Sequence, residues 1–248
     1  MEKLKIAGAA LALMLSAQAW AVGGLADVAV FDRTEGRQLP IHRHEGRAWV
    51  VGKPGNEYAV RVRNRQREEV LAVVSVDGVN VITGETASPQ QGGYVLSPWR
   101  TLDIAGWRKS LASTAAFYFT PLPDSYAART GRPDHVGVIG AALFRRKQPP
   151  VEIGRIAPRA PAAAESAAGV AQDAARESVP SAKLGTGHGR NEVSHARQVD
   201  FERATSDPAE TVMIYYDSRS NLVTRGVIKE PPRAPLPHPF PGFVPAPA

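Results

Sequence analysis

The side chains able to do chemistry fall into four groups, and none of them spells a reaction centre. His42 and His44 stand two apart, which would set two imidazoles on one face of a strand. Such a pair can ligate zinc or copper, with His135 or His188 completing the set. No spacing brings that third ligand near, so two ordinary surface histidines are the simpler account and no metal is expected. Arg61, Arg63 and Arg65 alternate along a second strand, with Arg67 in the adjoining turn. A ridge of guanidinium groups could hold phosphates or sulfates. Glu68 and Glu69 follow at once and would neutralise it as a solvated face. The third group is the irregular stretch Pro121–His135, with Tyr126, Arg129, Arg132, Asp134 and His135. Binding groups gather on loops held by rigid strands, although Tyr126 could equally fold inward as the loop's own anchor. Trp99 and Trp107 form the last group, as packing residues first and sugar-stacking platforms second.

Several chemistries are excluded outright. The chain has no cysteine, which removes thiol catalysis, thiolate zinc sites and disulfides. No Gly-x-Ser-x-Gly elbow occurs. Gly185-Thr186-Gly187-His188-Gly189 lacks the glycine spacing and the Lys-Ser/Thr of a phosphate loop, and reads as flexible re-entry from a linker. The expectation is a protein that is not an enzyme and carries no cofactor. Arg61, Arg63, Arg65, Tyr126, Arg129, Arg132, Trp99 and Trp107 remain as binding candidates, with His42 and His44 as weak metal candidates.

The elements that must position these groups are β-strands. Tyr58, Val60 and Val62 alternate with Ala59, Arg61 and Arg63, which gives one apolar and one basic face. Tyr58 points away from the ridge, so a stacking platform for single-stranded nucleic acid is not supported. Val70–Val76 is apolar on both faces and must be covered on both sides. Asp77-Gly78 between this run and Val79–Ile82 signals a tight hairpin, because a primed turn needs positive φ. Further short strands are read at 28–32, 38–42, 48–52, 94–96, 101–104, 114–120 and 136–144, with Ser97–Arg100 as a proline turn. This spacing predicts an all-β fold, a β-sandwich, or alternatively an open β-barrel. Residues 193–201, 211–216 and 222–228 add strand-like runs, the last two flanking a loop at 217–221. That segment is too small to bury its own core, so it is expected to dock on the first domain, covering or extending a sheet edge.

Composition divides the chain further. Lys3 and Lys5 precede a short apolar run, Ile6 to Ala17, and Ala19-Trp20-Ala21 fits a small-x-small cleavage site. Residues 1–21 are therefore expected to be a signal peptide and the mature chain to start at Val22, in the periplasm or beyond, with no transmembrane span. Residues 22–148 read as the β-domain and 149–183 as a disordered linker rich in Ala and Pro. Residues 184–230 read as the docking segment and 231–248 as a proline-rich tail. The formal charge is +6, and removing Glu2, Lys3 and Lys5 lowers it by one, to +5. A basic exported protein could meet anionic envelope polymers, although a solvated surface is the plainer reading.

The runs VLAVVSVDGVNVITGE, DIAGWRKS, DSYAARTGRPDHVGVIGAALF and LGTGHGR, with YYDSRSNLVTRGVI, resemble a family of uncharacterised exported proteins of Gram-negative bacteria. The resemblance covers most of residues 46–147 and 183–230. It implies a shared architecture and an envelope setting, treats the segment after the linker as part of one folded unit, and transfers no site residue. The functional expectation is a non-catalytic binding or structural module of the cell envelope, with envelope proteins as partners. The alternative is an anion or glycan binder using the Arg61/Arg63 ridge or the 121–135 loop.

Overall fold

A computed structural model describes residues 21–148 and 183–229. The apolar run of the expected signal, most of the linker and the proline-rich tail lie outside the described residues. The strands are β1 (Ala26–Asp32), β2 (Arg37–Gln38), β3 (His42–His44), β4 (Arg47–Val51), β5 (Glu57–Asn64), β6 (Val70–Val76) and β7 (Val79–Asn80). They continue as β8 (Tyr94–Leu96), β9 (Thr101–Ile104), β10 (Gly106–Ser110), β11 (Ser113–Pro121), β12 (Val138–Arg145), β13 (Leu184–Val193) and β14 (Glu210–Asp217). Two short α-helices, α1 (Tyr126–Arg129) and α2 (Arg219–Thr224), and two single 3₁₀ turns, Leu122–Asp124 and Pro133–His135, complete the described elements. Strands dominate and form two sheets that do not close into a barrel, so the fold is an all-β sandwich.

The first sheet runs β2-β1-β5-β11-β13, with β9 against β5 and β10 against β11. β5 meets β11 only at Tyr58↔Phe117 and Glu57↔Tyr118; beyond that point the two strands part. β9 follows β5 away from the junction and β10 follows β11, so the chain turns back on itself at Ala105, whose carbonyl accepts from Phe117 N–H. The second sheet runs β3-β4-β14-β12-β6, with β7 and β8 both on the outer edge of β6. The segment after the linker enters both sheets. β13 extends the first along β11, while β14 lies between β12 and β4, antiparallel to one and parallel to the other. Rather than covering an edge, β14 fills the interior of its sheet.

β6 occupies the position its composition demanded. Val70, Ala72, Val74 and Val76 enter the main core between the sheets with Tyr58, Phe117, Phe119, Ile139 and Tyr216. Leu71 and Val73 face the other way and pack with Ala142, Phe144, Val95 and Phe201 in a second, smaller core on the outer face. Burying one Val is worth roughly 1.5–3 kcal/mol. The turn after β6 has Asp77 at φ 53° and Gly78 at φ 71°, the pair of positive values a primed turn requires. Only Val79 and Asn80 continue as strand, so the hairpin's return arm is shorter than the apolar run suggested.

Three expectations for the C-terminal segment fail. The glycine-rich run 185–189 is ladder, not loop: Gly185 pairs with Thr120 and Gly187 with Tyr118. A side chain at Gly187 would meet the Tyr118 ring at 2.2 Å, so the glycine exists to let an aromatic ring lie across the strand. Residues 222–228 are not a strand. Ser218 caps α2 by accepting from Asn221 N–H, and the helix lays Leu222, followed by Ile228, over Trp49 on the outer face of the second sheet. Residues 194–200, expected to continue a strand, have no regular structure and cross the molecule as a strap.

Candidate functional site

Polar groups are drawn inside the protein at two places with opposite character. The first is built around Asp77, fully buried on the tight turn after β6. Its Oδ1 accepts from Tyr216 O–H at 2.5 Å and Gly137 N–H at 2.9 Å, and its Oδ2 accepts from Thr186 N–H at 2.8 Å. Thr186 Oγ1 lies 2.6 Å from Tyr216 Oη and 2.5 Å from Tyr58 Oη. Because Tyr216 spends its proton on the carboxylate, the order of donation is fixed: Tyr58 to Thr186, Thr186 to Tyr216, Tyr216 to Asp77. Burial pushes the Asp77 carboxyl up to about 6, against the pull of the Tyr216, Gly137 and Thr186 hydrogen bonds toward the ionised form. Burial and the Asp77 charge hold both tyrosines protonated far above the usual phenol range. Tyrosines beside a raised carboxyl resemble acid–base machinery. Here all four side chains are sealed in the core, at no more than 1% exposure, so no substrate reaches them. The network is a clasp: it joins the β6–β7 turn and β5 to β13 and β14 from beyond the linker.

The second place is a cleft of about 1060 Å³ along the open seam of the sandwich. Its walls are β8 of one sheet and the β9–β10 bend of the other, and its roof is the strap 194–203. The strap is fixed at both ends. Ser194 N–H and Ala196 N–H donate to the carbonyls of Ala112 and Leu111. The Arg108 guanidinium donates to Tyr94 Oη at 3.1 Å, to Ser194 Oγ at 3.1 Å and to the Ser194 carbonyl. At the far end Arg146 donates to Asp200 C=O at 2.7 Å, and Arg203 donates to the carbonyls of Pro89 and Gln91 while stacking 4.1 Å from the Phe144 ring. Ala204 N–H closes the strap on Arg145 C=O. On the cleft wall, Thr114 is 2% exposed and its Oγ1 has no hydrogen-bond partner among the described residues.

The residues singled out by sequence are dispersed. Arg61 makes a two-pronged pair with Asp103 at 2.7 and 2.8 Å and lies 4.2 Å over the Phe31 ring; Arg65 sits 3.4 Å from Asp27. The carboxylates that neutralise the ridge come from neighbouring strands, not from Glu68 or Glu69, and Glu69 pairs with Arg146 instead. Of the three alternating arginines, Arg63 stays exposed and without an ion pair among the described residues, beside a shallow 320 Å³ hollow; Arg67 in the turn is likewise exposed and unpaired among them. Tyr126 folds inward against Trp107 and His188. Arg132 donates to the Gly84 carbonyl and Arg129 projects outward. Trp107 is core, edge-on to Phe117, and offers no platform to a sugar. Trp99 is exposed at the tip of the β8–β9 turn, with φ at 60°. The histidine set does not assemble: His44 lies 3.7 Å from Glu45, His188 stacks on Trp107 and His135 packs over Gly78. Among the described residues no three His, Cys, Asp or Glu side chains are placed to share a metal ion. The cleft itself had no single sequence signal, because β8, β9, β10 and the strap contribute to it from about a hundred residues apart. The chain matches no protein-family model, no curated protein and no solved structure.

Proposed function

We propose that this protein is a non-catalytic interaction module of the bacterial cell envelope and that the strapped cleft is where it holds its ligand. The carrying observation is the cleft's construction: about 1060 Å³, walled by two sheets and roofed by an anchored strap. Ligand sites take the form of clefts with a few converging polar groups. A carboxylate network suited to chemistry exists, but it is sealed away from the cleft, which favours binding over catalysis. The envelope setting rests on the basic start, the short apolar run and the Ala19-Trp20-Ala21 site. The ridge reading is weaker, because Asp103 and Asp27 already neutralise Arg61 and Arg65.

The test places a photo-crosslinking amino acid at Val199 on the strap, and separately at exposed Met213 on the outer face of the second sheet, in the full chain expressed in cells. Mass spectrometry should recover adducts from position 199 and few from 213. Equal yields from the two positions would sink the proposal.

A further inference from the structure

We infer that the cleft takes an extended polypeptide segment of a partner protein, added as a strand to the outward edge of β9. This deepens the reading of the cleft as the binding site and rests on it. Three consecutive residues of β9, Leu102, Asp103 and Ile104, border the cleft, and the bend at Ala105 and Gly106 continues the border. Alternate residues of a strand face opposite sides, so an unbroken run can border one space only along the strand's edge, where backbone groups lie. On the opposite wall Tyr94 and Val95, consecutive in β8, border it together with Gly92 and Gly93, which lead into that strand. The cleft is thus a slot between two sheet edges.

The ladder shows which backbone groups are free. Asn64 N–H donates to Arg100 C=O, and the register pairs Val62 with Leu102 and Val60 with Ile104. In an antiparallel pair, hydrogen-bonded and non-bonded positions alternate. Residues 100, 102 and 104 therefore serve β5, and Asp103 turns its N–H and C=O the other way, toward the cleft. Among the described residues β9 pairs with no strand on that side. A free edge of this kind is a template for another chain, and native proteins normally block it.

The walls favour an uncharged segment. Glu69, Asp103, Asp200 and Glu202 are offset by Arg108, Arg146, Arg197 and Arg203. Ile82, Leu71, Val95 and Leu102 supply apolar surface for alternate side chains. The chain's own end is unsuited to the slot: residues 231–248 hold eight prolines, which cannot donate to a ladder.

The test pans a phage-displayed library of linear dodecapeptides against the full chain. Enriched peptides are then measured by fluorescence polarisation on wild type, Asp103→Ala, Asp103→Pro and Ala196→Trp. Asp103→Ala removes the Arg61 pair and keeps the N–H. Asp103→Pro removes both, at an edge position where proline is tolerated. Wild type and Asp103→Ala should bind within about threefold, whereas Asp103→Pro should bind about fivefold to tenfold more weakly than Asp103→Ala, the size of one hydrogen bond. N-methylation of alternate peptide residues on wild type should weaken binding similarly, and it decides the matter even if Asp103→Pro fails to fold. No enriched peptide, equal binding by the two Asp103 variants, or indifference to N-methylation overturns strand addition. Self-association that the peptides compete away makes a second copy the occupant and overturns the partner. Ala196→Trp fills the cleft: if adducts at Val199 vanish while no peptide binds, strand addition alone has failed; if Ala196→Trp changes nothing, the cleft reading itself has failed.

Discussion

Two buried threonines, Thr186 and Thr114, face each other's opposite fate. Thr186 Oγ1 is bonded on both sides, to Tyr58 and Tyr216, in a chain that ends on a carboxylate with three protein donors. Thr114 Oγ1 is equally buried and bonded to nothing among the described residues. One site is finished by folding and the other is not. A buried polar group left unpaired costs about 1–3 kcal/mol, so the clasp contributes to stability where the Thr114 hydroxyl leaves a cost uncompensated. On the proposed reading of the cleft, stability and recognition are housed in different parts of one sandwich, the first between the sheets and the second at their seam.

The comparison breaks most violently at Asp77. Asp77→Ala would strand Tyr216 O–H, Gly137 N–H and Thr186 N–H in the core at once, an expected loss of about 3–6 kcal/mol. Urea denaturation followed by circular dichroism reads this directly, and ligand capture by the folded fraction should be unchanged. A loss under about 1 kcal/mol would show that the clasp does not hold the two halves of the chain together.

The same carboxyl gives a pH signature of unusual sign. It titrates near 6 in the folded protein and near 3.8 when unfolded. The folded state therefore binds the proton more tightly, so this group's contribution is fully present below pH 3.8 and is lost as pH rises to 6, by about 3 kcal/mol in all. Glu57, held below the usual carboxylate range by its hydrogen bond with Arg190, acts in the opposite direction at the surface. The observable is thus the difference between wild type and Asp77→Asn. Between pH 4 and 6 wild type should lose stability relative to the variant, and parallel pH profiles would place the Asp77 titration outside this window.

The two regions also differ in how far the sequence revealed them. Sandwich interiors are written locally: the two-faced apolar run of β6, the Asp-Gly turn and the alternation of β5 each sit within a few residues, and all three are in place. What stayed hidden depended on distant partners. Asp77 was legible as a turn residue, but its role as an acceptor needs Thr186 and Tyr216, more than a hundred residues away. The Gly-Thr-Gly-His-Gly run read as a loop because the Tyr118 ring that requires Gly187 belongs to another strand. The Arg61 ridge read as basic because its neutralising Asp103 arrives through cross-strand register. Residues 222–228 read as a strand because their apolar spacing fits either period, and the Ser218 cap decides it. The cleft has no local signature at all, being bounded by strand edges, and an edge is defined only by which neighbours are missing.

The finest test applies one substitution to both threonines. Val matches Thr in shape and removes only the hydroxyl. Thr186→Val should cost about 2–3 kcal/mol, because Tyr58 O–H loses its acceptor and Tyr216 Oη its donor. Thr114→Val removes a hydroxyl that folding leaves unpaired, so it should be neutral or stabilising by up to about 1 kcal/mol in thermal melts. Crosslinking from Val199 should survive Thr186→Val in the folded fraction, because the clasp lies apart from the cleft. If Thr114→Val is as destabilising as Thr186→Val, the Thr114 hydroxyl is already paired inside the free protein. The seam would then be a packing feature like the core, and the division between a closed interior and an open edge would not hold.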